Sequence, residues 1–267
     1  MTQDGAEYQC SASSSLDFQY LDSEQTDSAD LVTEVALAIS YKGVNHAVMM
    51  VTPVELDDFI LGFSLSENII SSAASLKDID YRVTEVGIEA NVTIHERDFT
   101  QLKRQRRQLS GRTGCGICGQ EALENLLIPA SPVVRGALPD LTVLTHLAPK
   151  LREWQRHGQV SGALHAAFFV SHSGEVKACR EDVGRHNALD KLIGHLVATK
   201  LEPDAGFIVM TSRCSYELIQ KIARTGFSTL VCLSAPTSLA VSWAEKHNIN
   251  LLHLTKNDAP RVYTKGI

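Results

Sequence analysis

The sequence predicts an α/β protein of two closely packed parts, and three observations carry that prediction. Between Phe207 and Leu254, apolar runs alternate with amphipathic stretches as β-α-β-α-β. Earlier, Leu31 to Val51 reads as two strands, followed by a helical stripe and two further strand-like runs. The 267 residues are 44% hydrophobic and 21% charged, a balance that can bury a sizeable core. A crossover series of this kind makes a sheet with parallel strands and helices packed over them.

Each element follows from its residues. Residues 1–30 are rich in Ser, Asp, Glu and Gln, lack Lys and Arg, and show no apolar period, so they read as a disordered acidic tail. Residues 31–109 form an N-terminal α+β part. In it, Leu31–Ser40 and Val44–Val51 pair as a hairpin around Lys42 and Gly43, and Pro53 stops the ladder. Glu55 to Ile70 sets Leu56, Phe59, Ile60, Phe63 and Ile69 on one helical stripe, with acidic residues in the first turn where the macrodipole favours them. Strands follow over 79–86 and 88–95, then a basic helix from Glu96 to Leu109. Residues 110–139 read as a mobile glycine-rich loop and linker.

Residues 140–267 form the C-terminal part. Ala163–Val170 and Val176–Cys179 flank Ser173-Gly174 as a hairpin, and Asp182 to Thr199 is a helix with Leu189, Leu192, Ile193, Leu196 and Val197 inward. The crossover series then runs as strand Phe207–Thr211, helix Ser215–Arg224 closed by Gly226, strand Leu230–Leu233, helix Ser238–His247 and strand Ile249–Leu254. Met49, Met50 and Trp243 read as core.

Open parallel sheets collect ligands beyond the carboxyl ends of their strands, where loops and helix N-termini present unsatisfied N–H groups. Three small or polar loops share that edge here: Ser212-Arg213-Cys214, Ser234-Ala235-Pro236-Thr237 and Thr255 to Ala259. The helix that starts at Asp182 adds Gly184, Arg185 and His186. The set suits an anion such as a nucleotide pyrophosphate, with Arg185, Arg213 and Lys191 as cationic partners. The competing reading makes Asp182 and Ser215 simple N-caps and the arginines surface charges.

No run approaches eighteen apolar residues and no basic-then-apolar leader opens the chain, so the expected location is the cytoplasm. The six cysteines are too sparse and uneven for a secreted disulfide framework, and the net charge of −6 argues only for solubility. Two of them stand apart. Gly111-Arg112-Thr113-Gly114-Cys115-Gly116-Ile117-Cys118-Gly119 carries two thiols in a glycine-rich loop, directly after Lys103, Arg104, Arg106 and Arg107. Glycines expose sulfur and nearby cations lower a thiol pKa, so the pair reads as an activated thiolate on a movable arm.

Four other readings compete for this pair. Structural zinc wants a second ligand pair, and the other cysteines are isolated singles. A thioredoxin-type site belongs at a strand end, a zinc deaminase needs His-x-Glu and a Pro where Gly114 stands, and inert cysteines need no glycines around them. What remains is sulfur carriage, in which a thiolate takes a sulfane sulfur as a persulfide and hands it on.

Six segments in order resemble one family: Gly-Phe-Ser-Leu-Ser-Glu at 62–67, the Cys-Gly-Ile-Cys loop, Arg-Glu-Asp-Val-Gly-Arg-His-Asn-Ala-Leu-Asp-Lys at 180–191, Ser-Arg-Cys-Ser-Tyr-Glu at 212–217, Ser-Ala-Pro-Thr-Ser-Leu-Ala at 234–240 and Val-Tyr-Thr at 262–264. They are similar to the formate dehydrogenase accessory sulfurtransferases (FdhD). The resemblance implies a homodimer whose C-terminal part has a cytidine deaminase-like fold without zinc ligands. It implies a sulfurtransferase that takes sulfur from a cysteine desulfurase and delivers it to the molybdenum of bis(molybdopterin guanine dinucleotide), for formate dehydrogenase. It implies Cys115 as persulfide carrier, with Cys118 as second thiol, and guanine-dinucleotide contacts at Leu254, Thr255, Lys256, Asn257, Asp258 and Ala259. His186 and Asn187 fall in the family's motif, but the residues themselves assign them only local hydrogen bonding. A cofactor-binding insertion chaperone and a structural zinc protein are the rival functions; no resident metal, nucleic acid or membrane partner is expected.

Overall fold

The computed structural model describes residues 11–110, 132–134, 136–256 and 258–265. Cys115 and Cys118 with their loop, Asn257, and residues 1–10 of the expected tail lie outside these residues. Three sheets organise the rest: a hairpin β1–β2, a four-stranded sheet in the order β4-β3-β6-β5, and a six-stranded sheet in the order β12-β11-β10-β9-β7-β8.

The acidic N-terminal segment corrects its expectation. Ser13–Gln19 (β1) and Thr26–Val32 (β2) pair antiparallel, so where it is described it is a hairpin and not a disordered tail. Its acidic composition hides a period of two, with Leu16, Phe18 and Tyr20 alternating with small or polar residues. The first long strand accordingly starts at Val35, because Leu31 and Val32 belong to β2.

Val35–Tyr41 (β3) and Val44–Val51 (β4) form the predicted hairpin, with Lys42 and Gly43 both at positive φ in the turn. Leu76–Thr84 (β5) and Gly87–Ile94 (β6) complete the sheet. The helix Leu56–Ser66 (α1) lays Leu56, Phe59, Ile60 and Phe63 on this sheet's inner face against Leu37, Ile39 and Val92. Glu96–Ser110 (α2) adds Phe99 and Leu102 to the same core. Met50, expected in the core, is instead 49% exposed because it points to the outer face of the sheet.

In the C-terminal part, Leu141–Thr145 (α3), Leu147–Trp154 (α4) and Gly158–Ser161 (α5) are short helices that the sequence pattern does not announce. Each is too short for a periodic signal, and Pro149 in the first turn of α4 reads locally as a break. His165–Ser171 (β7) and Val176–Asp182 (β8) pair antiparallel, and Arg185–Ala198 (α6) follows. The predicted crossover series is present as Gly206–Met210 (β9), Tyr216–Thr225 (α7), Thr229–Cys232 (β10), Ser238–Lys246 (α8) and Asn250–His253 (β11). These three strands are parallel. Arg261–Thr264 (β12) returns antiparallel beside β11 and makes an edge strand of the Val-Tyr-Thr segment.

Helices α1 and α6 join the two parts through a close crossing at glycine. A Cβ on Gly62 would lie 1.7 Å from the Asp190 carbonyl oxygen, and one on Gly194 would lie 1.9 Å from that of Asp58. No side chain fits there. Around the crossing, Ser66 donates to Asp190 at 2.6 Å, and Lys221 donates to Asp190 at 3.0 Å and to Glu67 at 2.6 Å. The Gly-Phe-Ser-Leu-Ser-Glu segment thus bolts one part to the other.

Candidate functional site

Parallel β9, β10 and β11 end together at Met210, Cys232 and His253. Strand β8 runs the same way and ends at Asp182, opposite His165 at the start of β7. The three predicted loops and the start of α6 therefore share one edge, as expected. Three helix N-termini, of α6, α7 and α8, open onto it; those of α6 and α7 have no side-chain cap.

The loops are tied to one another. The Thr237 amide donates to the Cys214 carbonyl at 3.0 Å, and the Ser234 hydroxyl donates to that of Thr211 at 3.4 Å. Thr237 also caps α8 by accepting from the Ala240 amide at 3.2 Å. Ser234, Ala235 and Arg213 are exposed, Pro236 is half-buried, and Ser212 is buried with its hydroxyl on the Arg213 carbonyl. Beyond β11, the Thr255 hydroxyl donates to the Asp258 carbonyl at 2.6 Å, and Lys256 is exposed.

At the start of α6 the structure divides the predicted residues into two groups. Lys191 and Asp182 are fully buried and pair at 2.8 Å. Lys191 also donates to the carbonyls of Thr52 at 2.9 Å and Glu181 at 3.2 Å. Asp182 accepts from the amides of Thr52 at 3.0 Å and Gly184 at 2.8 Å and from Asn187 Nδ2 at 2.9 Å. Asn187 gives its other amide hydrogen to the Met50 carbonyl at 2.8 Å. The expected ligand contacts through Lys191, Asp182 and Asn187 are corrected accordingly: their polar atoms are spent holding β4 to α6. Gly184 is part of the same fit, since a Cβ there would meet Asn187 Nδ2 at 2.7 Å.

Arg185 and His186 remain at the edge. Arg185 Nε is buried without a hydrogen-bond partner among the described residues. His186 Nε2 lies 2.8 Å from Glu217 Oε2, without the alignment of a hydrogen bond, and links α6 to α7. Burial, and then the Arg185 charge, push the pKa of His186 down despite Glu217.

Two further imidazoles escaped the sequence reading. His165 is lowered by burial and by Arg185, and His253 by burial and by Arg261. His253 Nδ1 is buried and unpartnered among the described residues, its ring stacked on Tyr263 at 6.5 Å. A histidine at a strand end in register with the loops was the available signal. Neutral imidazoles and arginines together offer donors to phosphate oxygens and to a polar ring.

Two of the described cysteines, Cys179 and Cys232, are held away from the thiolate form. Cys214 and Cys232, expected as isolated singles, sit beside each other under the loops, fully buried, and their mutual hydrogen bond raises the pKa of Cys232. Burial raises that of Cys179 as well. Among the described residues no group of three or more His, Cys, Asp or Glu could hold a metal ion, and no helix is long and apolar enough to cross a membrane.

Comparison with known proteins agrees with these motifs. Residues 32–266 match the family model described as FdhD/NarQ. A protein of Cupriavidus necator named sulfur carrier protein FdhD is 43% identical over 88% of this chain and 81% of its own length. One of the same name from Chromobacterium violaceum is 41% identical over 92% of this chain and 93% of its own. A crystal structure from Desulfotalea psychrophila, assigned to a formate dehydrogenase accessory protein, superposes with a TM-score of 0.69 at 19% identity, covering 94% of this chain and 96% of that one, a likeness of fold. On the match of nearly its whole length, and on relatives above 40% identity, the chain belongs to the FdhD/NarQ family.

Proposed function

We propose that the protein carries sulfur for the maturation of formate dehydrogenase, as the names of its relatives say of them. The observation that carries the reading to this chain is the strand-end edge: three helix N-termini with Arg185, Arg213, Lys256 and neutral histidines around polar loops. That chemistry suits a guanine dinucleotide, whose pyrophosphate is anionic and whose base is a polar ring. The acceptor in this reading is the molybdenum of a bis(molybdopterin guanine dinucleotide) cofactor held on the edge as substrate.

Cys115 is the carrier in this reading. Its thiolate attacks the terminal sulfur of a cysteine desulfurase persulfide; a new S–S bond forms on Cys115 while the desulfurase S–S bond breaks and its cysteine leaves as thiolate. The bound acceptor then supplies the electron pair that bonds the terminal sulfur, the S–S bond on Cys115 breaks and Cys115 leaves as thiolate, with Cys118 shielding or sharing the persulfide. The basic run Lys103, Arg104, Arg106, Arg107 steers acidic partners or the anionic cofactor toward the loop. A cytidine deaminase-like C-terminal part, a homodimer and a cytoplasmic location complete the proposal. The mixed sheet with its parallel β-α-β-α-β series supports the first of these.

The deciding experiment incubates the full chain with a cysteine desulfurase and cysteine and maps added sulfur by mass spectrometry. Sulfur on Cys115 is expected, and a Cys115→Ala, Cys118→Ala variant should fail to support formate dehydrogenase activity. An unmodified loop with full support of the dehydrogenase would leave an insertion chaperone instead.

A further inference from the structure

Strand β8 is an edge strand, and beside it lies a cavity of about 150 Å³ that both parts of the chain line. Glu55 comes from the N-terminal part, and the α4–α5 connection and β8 supply the rest. None of the residues assigned to the strand-end edge lines it. Its β8 wall is fixed. Glu181, buried, accepts from the amides of His157 at 2.9 Å and Gly158 at 2.8 Å, and a Cβ on Gly158 would lie 2.7 Å from that carboxylate. Arg180 donates to Asp58 at 2.7 Å, to the Cys179 carbonyl at 2.8 Å and to His195 Nδ1 at 2.6 Å.

The other lining groups are uncommitted. Glu55 makes no hydrogen bond among the described residues and does not cap α1. It stands 3.4 Å from Arg180 Nε, but that nitrogen already serves Asp58. Burial raises the pKa of Glu55 and outweighs the attraction of Arg180, so the carboxylate is short of a positive partner. Its backbone is held at φ 55°, ψ 41°, a left-handed conformation that is costly for a residue with a Cβ and that clusters at ligand sites. Trp154, Arg156 and His157, on the α4–α5 connection, make no side-chain hydrogen bond among the described residues and bring donors to the same cavity.

We infer that this cavity binds a small zwitterion of the α-amino-acid class, its ammonium group on Glu55 and its carboxylate on Arg156 and His157. A simple anion would meet Glu55 and Glu181, and a simple cation would meet Arg156 and Arg180; a ligand with both charges satisfies both walls. Size selects the class further, because a cavity of roughly this volume takes a ligand of about six heavy atoms, such as alanine, and not a nucleotide. Cys179 offers the ligand's side chain a soft wall and not a nucleophile, since burial, then Glu181 and Glu55, raise its pKa.

The inference does not rest on sulfur transfer, which is decided at Cys115. Trp154 reports on the cavity, so fluorescence of the full chain should change saturably with L-alanine. Acetate and methylammonium, each carrying one charge of the pair, should bind about 10-fold or more weakly, and Glu55→Gln or Arg156→Gln should weaken alanine by a similar factor. Saturation-transfer NMR on the unaltered chain, with acetate and methylammonium as competitors, gives the same ranking even if a variant folds poorly. Absence of saturable binding by glycine, alanine and serine overturns the inference. So does acetate or methylammonium binding as tightly as alanine, an affinity indifferent to both substitutions, or a fluorescence change that survives Trp154→Phe.

Discussion

Arg185 and Lys191 stand on one helix, and the structure gives them opposite fates. Lys191 faces inward to Asp182 with no solvent exposure, so a Lys191→Met substitution leaves a buried carboxylate without its charge partner. Such a loss costs about 3–5 kcal/mol, which urea denaturation should read as a lower midpoint. Arg185 keeps a buried Nε at the strand-end edge, without a hydrogen-bond partner among the described residues. Arg185→Gln should leave stability nearly unchanged while weakening guanine nucleotide binding by about 10-fold or more, the scale of a hydrogen bond to a charged group, measurable by titration calorimetry. Cysteines divide in the same way. Brief alkylation of the native protein should leave buried Cys214 and Cys232 unmodified, while the glycine-flanked pair reacts; equal labelling of Cys214 would contradict its burial. None of these fates is written in residue type, because a lysine in a basic motif reads the same whether it points in or out.

At the scale of elements, the crossover of α1 and α6 is the most demanding contact in the fold. Gly194→Ala would force a methyl group onto the Asp58 carbonyl, and Gly62→Ala would do the same at Asp190. Each should destabilise by roughly 1–3 kcal/mol or more, since backbone cannot move aside as a side chain can. Denaturation of each variant beside a Gly43→Ala control, whose position meets no neighbouring atom, separates crowding from turn strain. The long helices and parallel strands were legible in sequence because their apolar residues repeat with period 3.6 or run unbroken in buried strands. Helices α3 to α5 and strand β12 were not, being four to eight residues long and shaped by what they pack against. The hairpin β1–β2 was concealed differently: an acidic composition outweighed a short alternating pattern.

For the whole molecule, four histidines predict how stability responds to pH. Burial lowers the pKa of His165, His186, His195 and His253 below the ordinary 6.5. Between the folded and ordinary values the unfolded chain binds more protons than the native one, so stability rises with pH there and is lost on acidification. The urea midpoint should therefore fall as pH is lowered from 7 to 5; a midpoint that rises would show the imidazoles gaining protons on folding. Glu67, held below its ordinary range by Lys221 and Arg224 despite burial, adds a loss of the same sign at lower pH.

The sequence by itself determined the α/β class, the order of the long elements, the strand-end location of the candidate edge and the family, because periodicity, glycine placement and ordered motifs are local properties of the chain. Only the tertiary structure decided which motif residues reach the strand-end edge and which lock α6 to the N-terminal part. That choice depends on the α1–α6 crossing and on the seating of Thr52, just after β4, against Asp182, which bring together residues more than a hundred positions apart.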